Sequence, residues 1–443
     1  MTLMMHNDDL IPFLIDVSSA IGDLSRAIGI HSDEFLNRVY PSFVSRDELL
    51  TQCHACPELG RPDTAVSVSP EGSLKAIPYP ELFPELREKV LISISRALPH
   101  STHPPMTEYL IGVARYFETP SFSNYLDMSS LWMSTVDLPV IMPVVSDETY
   151  CDSRCGLKGT IDSAVFIADP QLSDILSLPS RTWASFLKRL PIAVDALPVA
   201  GMSSRVYRTA ALDGALPNMK LRAWNLPNPH DVRRLKGTHQ IIIYENTRTA
   251  FESDLKPALR RIFNSLTLRH TDDMLFDGLI RTLSAHELGH NYACFGNARL
   301  LNDLHDTFEE MKANILPLLW VCFCLESGLM ALDDAVAAIC IYLALDLQDC
   351  ILARETLSRR CYCLATALQM NFMLEHSAIS IDNGDIRIDL NAIWNSNIDL
   401  LRICLAIMAN GDRDSADRLI QSYGSIVPYQ KTLDRMIAAS GSV

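Results

Sequence analysis

Two histidines one helical turn apart, with a glutamate beside the first, are the residues of this chain best spaced to do chemistry: His286-Glu287-Leu288-Gly289-His290. On an α-helix, positions four apart project from one face, so both imidazoles can reach a single ion about 2 Å from each nitrogen. Glu287 lies next to that ion, where its carboxylate can take a proton from attacking water and pass it to a leaving group. The pattern points to a divalent metal, zinc first, and to hydrolysis.

A catalytic zinc site needs a third protein ligand and an open position. A histidine six residues after His290 would complete the metzincin pattern, but Gly296 stands there and Ala293 occupies that pattern's glycine position. His305 is available, in the polar stretch Leu301 to Asp306 that reads as an interhelix loop. Glu310, twenty residues after His290, is the preferred candidate. It falls in the first turn of a helix expected over 307–316, behind a cap at Asp306 or Thr307 and ended or kinked by Pro317.

The elements that must position these groups follow from periodicity. From Asp272 to Tyr292, residues Phe276, Leu279, Ile280, Leu283, His286, Glu287 and His290 recur at three- and four-residue steps, which predicts an amphipathic helix. Upstream the chain is broken by prolines, with a helical pattern over 86–98 and strand-like runs at 138–145 and 240–244. Beyond about residue 250 helical periodicity dominates, and no proline falls between Leu318 and Val427. The expected fold is α+β, a mixed lobe over 1–270 followed by a mainly helical lobe over 271–443 that carries the metal.

Composition narrows the partners. A net charge of -15 argues against nucleic-acid binding, which needs clustered Lys and Arg. The first 24 residues lack a signal peptide's basic start and apolar core, and the longest apolar stretch, 315–325, is about half a membrane span. The expectation is a cytoplasmic monomer or homodimer acting on a peptide or small molecule. Twelve scattered cysteines read as buried thiols, and Cys53-His54-Ala55-Cys56 has metal-like spacing without a second pair.

Several segments, in order, resemble the dipeptidyl peptidase III family of zinc exopeptidases. Phe308-Glu-Glu-Met-Lys-Ala-Asn314 is similar to that family's second signature, whose zinc-binding glutamate falls on Glu310. Asp147-Glu-Thr-Tyr150 with Gly156-Leu-Lys158 resembles its Glu-x-Tyr segment. Asn225-Leu-Pro-Asn228, followed by Arg233 and Gly237, resembles its Asn-x-Pro-Asn segment, and Asn410-Gly-Asp412 to Tyr423-Gly424 its last helices. The similarity spans roughly residues 120 to 430. It implies two lobes around a wide cleft, one built on a β-barrel. It further implies that Tyr150 stabilises an oxyanion, Glu148 grips a substrate amino terminus, and Asn225 and Asn228 hold the substrate backbone. The residue-level alternatives are a packed aromatic for Tyr150 and a simple turn for Asn225 to Asn228.

Three positions depart from the family. The two histidines are four residues apart, where better-known members have one residue more. Asn314 replaces an acid that orients a zinc-bound histidine, and Tyr362 falls where the family has a catalytic histidine. A tyrosine donates a hydrogen bond but supplies no positive charge at neutral pH. Zinc-dependent amide hydrolysis is therefore the leading reading. A zinc-dependent lyase, isomerase or non-peptide hydrolase of a specialised metabolite is the second, and a non-catalytic binding module the third.

Overall fold

The computed structural model describes residues 9–29, 33–146, 149, 152, 154–192, 200–263, 270–353 and 359–440. Its architecture is α+β. Strands Val140–Ile141, Asp162–Ala168, Met202–Asp213, Thr238–Ile243 and Ala223–Leu226 lie side by side in that spatial order, and Val144–Val145 also pairs with Asp162–Ala168. Met202–Tyr207 runs parallel to Thr238–Ile243, and the other pairings are antiparallel. Among the described residues the strands form one mixed six-stranded sheet, the core of the mixed lobe.

The strand-like run over 138–145 splits in two around Met142-Pro143, because proline cannot donate to a ladder. The run at 240–244 is the end of Thr238–Ile243, buried throughout, with Tyr244 opening a helix. The helical pattern over 86–98 forms as Pro84–Ala97. A hairpin expected from no periodicity, Ile379–Asp382 with Asp385–Ile388, turns through Asn383 and Gly384, both at positive φ.

Two apolar clusters organise the chain. One is built from Leu10 to Ile243 and holds the N-terminal helices and one face of the sheet. The other runs from Leu176 to Met436 and contains the five long helices of the C-terminal half. Two of those helices, Leu332–Leu352 and Leu390–Asn410, are long and apolar enough to cross a membrane, a longer apolar run than 315–325. In the fold 83% and 56% of their apolar windows are buried, so they pack as core helices. All eleven cysteines among the described residues are free thiols, six of them buried.

The expected motif helix forms over Asp272–Gly289, started by the Thr271 side chain accepting from the Met274 N–H and by Asp272 and Asp273 in the first turn. It is less amphipathic than its periodicity predicts. Gly278, Thr282, Ser284 and Ala285 are buried as well as the expected apolar face, because the helix is enclosed between the sheet and neighbouring helices. Ser284 donates to Gln240 Oε1 (3.1 Å) on one side, while Gly278 lies against Ala338 on another.

Candidate metal centre

The carboxylate of Glu310 reaches the motif helix from a helix longer than expected. This second helix covers His305–Glu326 and passes through Pro317 without ending. Proline removes one helical hydrogen bond, but Ile315 to Val321 are completely buried, so packing on all sides holds the helix continuous. Glu310 consequently sits in its second turn. The polar stretch before it is a 3-10 segment, Gly296–Leu304, that feeds directly into the helix.

His286, His290 and Glu310 each direct one ligand atom to a common point, and these atoms lie within 4.8 Å of one another. The Nε2 atoms of the histidines are 3.2 Å apart, and Glu310 Oε2 is 3.4 Å from His286 Nε2 and 4.0 Å from His290 Nε2. Ligands about 2.0–2.1 Å from a tetrahedral ion would be separated by about 3.3 Å. Glu310 Oε2 is also buried with no hydrogen-bond partner, an orphan that a cation would satisfy. Both observations fit a zinc-sized ion with three protein ligands. Among the described residues no other group of three potential ligands converges in this way. His305 is not part of it, since its Nδ1 pairs with Asp306 Oδ1 at 2.9 Å.

The local field favours positive charge. Burial alone would lower the His286 pKa, but the adjacent Glu310 carboxylate, with Glu287 and Asp346 beyond, pushes it up to about 9. Burial would raise Glu310, yet the charges of His290 and His286 hold it below the usual carboxylate range. Burial raises Glu287, partly offset by the two histidines, which suits a group that accepts and releases a proton.

Of the groups around the site, Tyr342 carried no sequence signal. The Tyr342 hydroxyl lies 2.9 Å from His286 Nδ1 and donates to Asn314 Oδ1 at 3.2 Å. Asn314 thus meets His286 only through Tyr342, not directly as its position in the signature implied. Glu309 Oε2 lies 3.7 Å from His290 Nδ1 and is paired at 2.7 Å with Lys312, a fully buried lysine. Burial opposes ionisation, but Lys312, His290 and His305 together outweigh it and keep Glu309 ionised. Arg233 donates to the His290 carbonyl (2.7 Å) and to Asn291 Oδ1 (2.9 Å), tying the end of the motif helix to the chain below it.

The other expected residues are more scattered. Asn225 is buried on strand Ala223–Leu226, and its Nδ2 donates to Asn291 Oδ1 at 3.4 Å, one residue past His290. Asn228 follows the cis peptide Leu226–Pro227 and lines a small pocket with Tyr125, Ser129 and Trp132. Tyr362 lies near the start of helix Arg360–Glu375, with the Arg359 guanidinium 5.1 Å from its ring centre. Glu148 and Tyr150 lie outside the described residues. The loop after them is held by Asp152, whose carboxylate accepts from the backbone N–H of Arg154, Cys155, Leu157 and Lys158 and from the Tyr40 hydroxyl. Lys158 is fully buried and donates to the carbonyls of Leu59 and Arg61 and to Thr64 Oγ1.

Comparison with known proteins places the fold. No family model matches the chain. Nudix hydrolase 3 of Arabidopsis thaliana is 23% identical over 369 residues, 81% of this chain and 47% of the relative, so the chain spans about half that protein's length. Two solved structures match almost throughout. The dipeptidyl-peptidase III of Corallococcus sp. strain EGB superposes with a TM-score of 0.84 at 17% identity, over 99% of this chain and 92% of the other. DPP III from Caldithrix abyssi gives 0.72 at 20% identity, over 98% and 91%. The likeness includes the N-terminal hundred residues that sequence resemblance left uncovered. The fold of this chain is that of the dipeptidyl-peptidase III structures.

Proposed function

We propose that this protein is a zinc-dependent hydrolase that cleaves an amide bond in a peptide or peptide-like small molecule. The observation that carries the reading is the convergence of His286 Nε2, His290 Nε2 and the orphaned Glu310 Oε2 on one point beside the buried Glu287. His286, His290 and Glu310 would hold the ion. Zinc bound there would supply Lewis acidity, polarising the scissile carbonyl and acidifying water. Glu287 takes the proton of the attacking water on its carboxylate and delivers it to the departing amine nitrogen. Its enclosed position keeps that proton from bulk solvent.

By resemblance, Tyr150 would donate to the developing oxyanion, Glu148 would pair with a substrate ammonium, and Asn225 and Asn228 would hold the substrate backbone. Asn225 would do so from a fixed position, since its amide is already anchored on Asn291. Tyr362 would contribute a hydroxyl where the family has an imidazole. That last difference supports a second reading, in which the same site acts on a specialised non-peptide metabolite as a lyase, isomerase or hydrolase.

Metal analysis of the purified chain, together with turnover of a library of short peptides by the protein and by Glu287→Gln, tests the proposal. The expected result is near-stoichiometric zinc in both proteins and peptide cleavage only in the first. Full activity in Glu287→Gln overturns the mechanism. Stoichiometric zinc with silence across the library transfers the site to the second reading.

A further inference from the structure

We infer that Tyr342 is a positioning residue for His286, fixing the imidazole tautomer that offers Nε2 to a metal. The inference deepens the proposed zinc site and rests on it. Tyr342 stands in the middle of the Leu332–Leu352 helix, 1% exposed, in a stretch from Ala337 to Leu347 that is buried throughout. Its ring cannot swing away, so its hydroxyl is presented at one place. A phenol has a single proton to give. Asn314 Oδ1, 3.2 Å away, is purely an acceptor, so that proton is directed to it. The phenol oxygen then faces His286 Nδ1 at 2.9 Å with a lone pair, which requires Nδ1 to carry hydrogen. With Nδ1 protonated, the lone pair of a neutral imidazole is on Nε2, the atom 3.4 Å from Glu310 Oε2 and 3.2 Å from His290 Nε2.

The bland account of Tyr342 is a packed core aromatic, and its neighbours in the sequence, Ile341 and Leu343, fit that account. It does not explain why the hydroxyl lies between two polar groups from two other helices. The relay ends on a neutral amide, so His286 gains orientation from it while receiving less electron donation than a carboxylate partner would give. Asn314 is itself fixed by the backbone, since its carbonyl accepts from Gln369 Nε2 at 3.4 Å. Its side-chain oxygen accepts from the Tyr342 hydroxyl.

A double-mutant cycle on the full chain, stripped of metal, tests the inference. Zinc affinity is read by competition with a chromophoric chelator, with thermal unfolding of each metal-free variant in parallel. Tyr342→Phe is expected to bind zinc about 10–100-fold more weakly, the usual effect of losing a partner behind a ligand. Asn314→Ala should weaken binding through the same relay, and the double variant should be no weaker than Tyr342→Phe, because the two groups act in series. Wild-type affinity in Tyr342→Phe, or single effects that multiply in the double variant, overturns the inference. Should Tyr342→Phe fail to fold, Asn314→Ala decides alone, and unchanged affinity there is the negative result. A wild-type chain that binds no zinc instead overturns the metal site itself.

Discussion

Gly289 packs against Ala313 so closely that a methyl group on it would lie 3.3 Å from the Ala313 Cα and 3.1 Å from Leu316 Cδ1. This contact sets the distance between the helix of His286 and His290 and the helix of Glu310. A larger residue at the second variable position of the His-Glu-x-x-His motif would move two ligands away from the third. Gly289→Val is expected to lower zinc content and affinity, while Gly289→Ala, which requires its neighbours to yield by only a few tenths of an ångström, keeps both. Metal analysis of the two variants checks this. Equal zinc in Gly289→Val would mean the contact does not govern the site.

Gly278 offers a control on the same helix without a ligand nearby. A Cβ there would meet the Ala338 backbone at 2.9 Å, too close to be relieved by a side-chain rotation. Gly278→Ala should destabilise the protein by about 1–3 kcal/mol, the range for overpacking. Chemical denaturation measures it, and a neutral or stabilising change would contradict the close approach of these helices.

Glu310→Gln keeps the size of the third ligand and removes its charge. Because Oε2 is buried with no hydrogen-bond partner, the loss should be felt mainly in metal binding. Zinc affinity is expected to fall by more than the roughly 10–100-fold associated with a partner behind a ligand. Isothermal titration of zinc into the stripped variant is the measurement, and near wild-type affinity would return His305 to consideration as the third ligand.

The convergence of His286, His290 and Glu310 is legible in the sequence because its information is local. Two histidines one turn apart and a glutamate twenty residues on, near the start of the next helix, are distances that spacing encodes, and spacing leads from them to Glu310. Tyr342 is not legible in that way. It lies 56 positions from His286 along the chain and inside an apolar helix, where a tyrosine reads as core. Pro317 misleads in the other direction, since the tertiary packing that carries a helix through a proline has no local signature. The Asn383-Gly384 turn, by contrast, is a hairpin signal in plain view, masked by the helical periodicity on either side. The amide of Asn225 shows the same limit as Tyr342, because its partner Asn291 belongs to a distant segment of the chain.

Asp152 ties down the loop that follows Glu148 and Tyr150, and its carboxylate alone satisfies four backbone N–H groups and a phenol. Asp152→Ala leaves those donors unpaired in a buried place, where each costs about 1–3 kcal/mol if water does not replace the acceptor. A loss of at least about 3 kcal/mol is expected, with peptide KM rising more than kcat falls in whatever fraction stays folded. Urea denaturation and steady-state kinetics check the two parts. A stable variant with unaltered KM would show that this loop does not shape the substrate site.

The sheet beneath the motif helix holds a histidine that should make the protein acid-sensitive independently of the metal ligands. His239 is completely buried, with Ser203 Oγ and the Tyr207 hydroxyl each 2.7 Å from its ring nitrogens. Burial, helped by the charge of Arg205, lowers its pKa from 6.5 to about 3. The folded chain therefore keeps His239 neutral while the unfolded chain protonates it below about pH 6.5. Stability falls as pH drops from about 6.5 toward 3, at up to roughly 1.4 kcal/mol per pH unit from this group. Above about pH 6.5 the residue contributes no slope. His239→Gln, which cannot titrate, should be less stable than the wild type near neutral pH because it fits two hydrogen bonds less well. Its deficit should shrink steadily as the pH is lowered to about 4. Denaturation curves of both proteins across that range, at fixed ionic strength, give the difference directly. If the deficit stays constant, His239 is not held neutral by the fold, and the acid sensitivity belongs to the carboxylates.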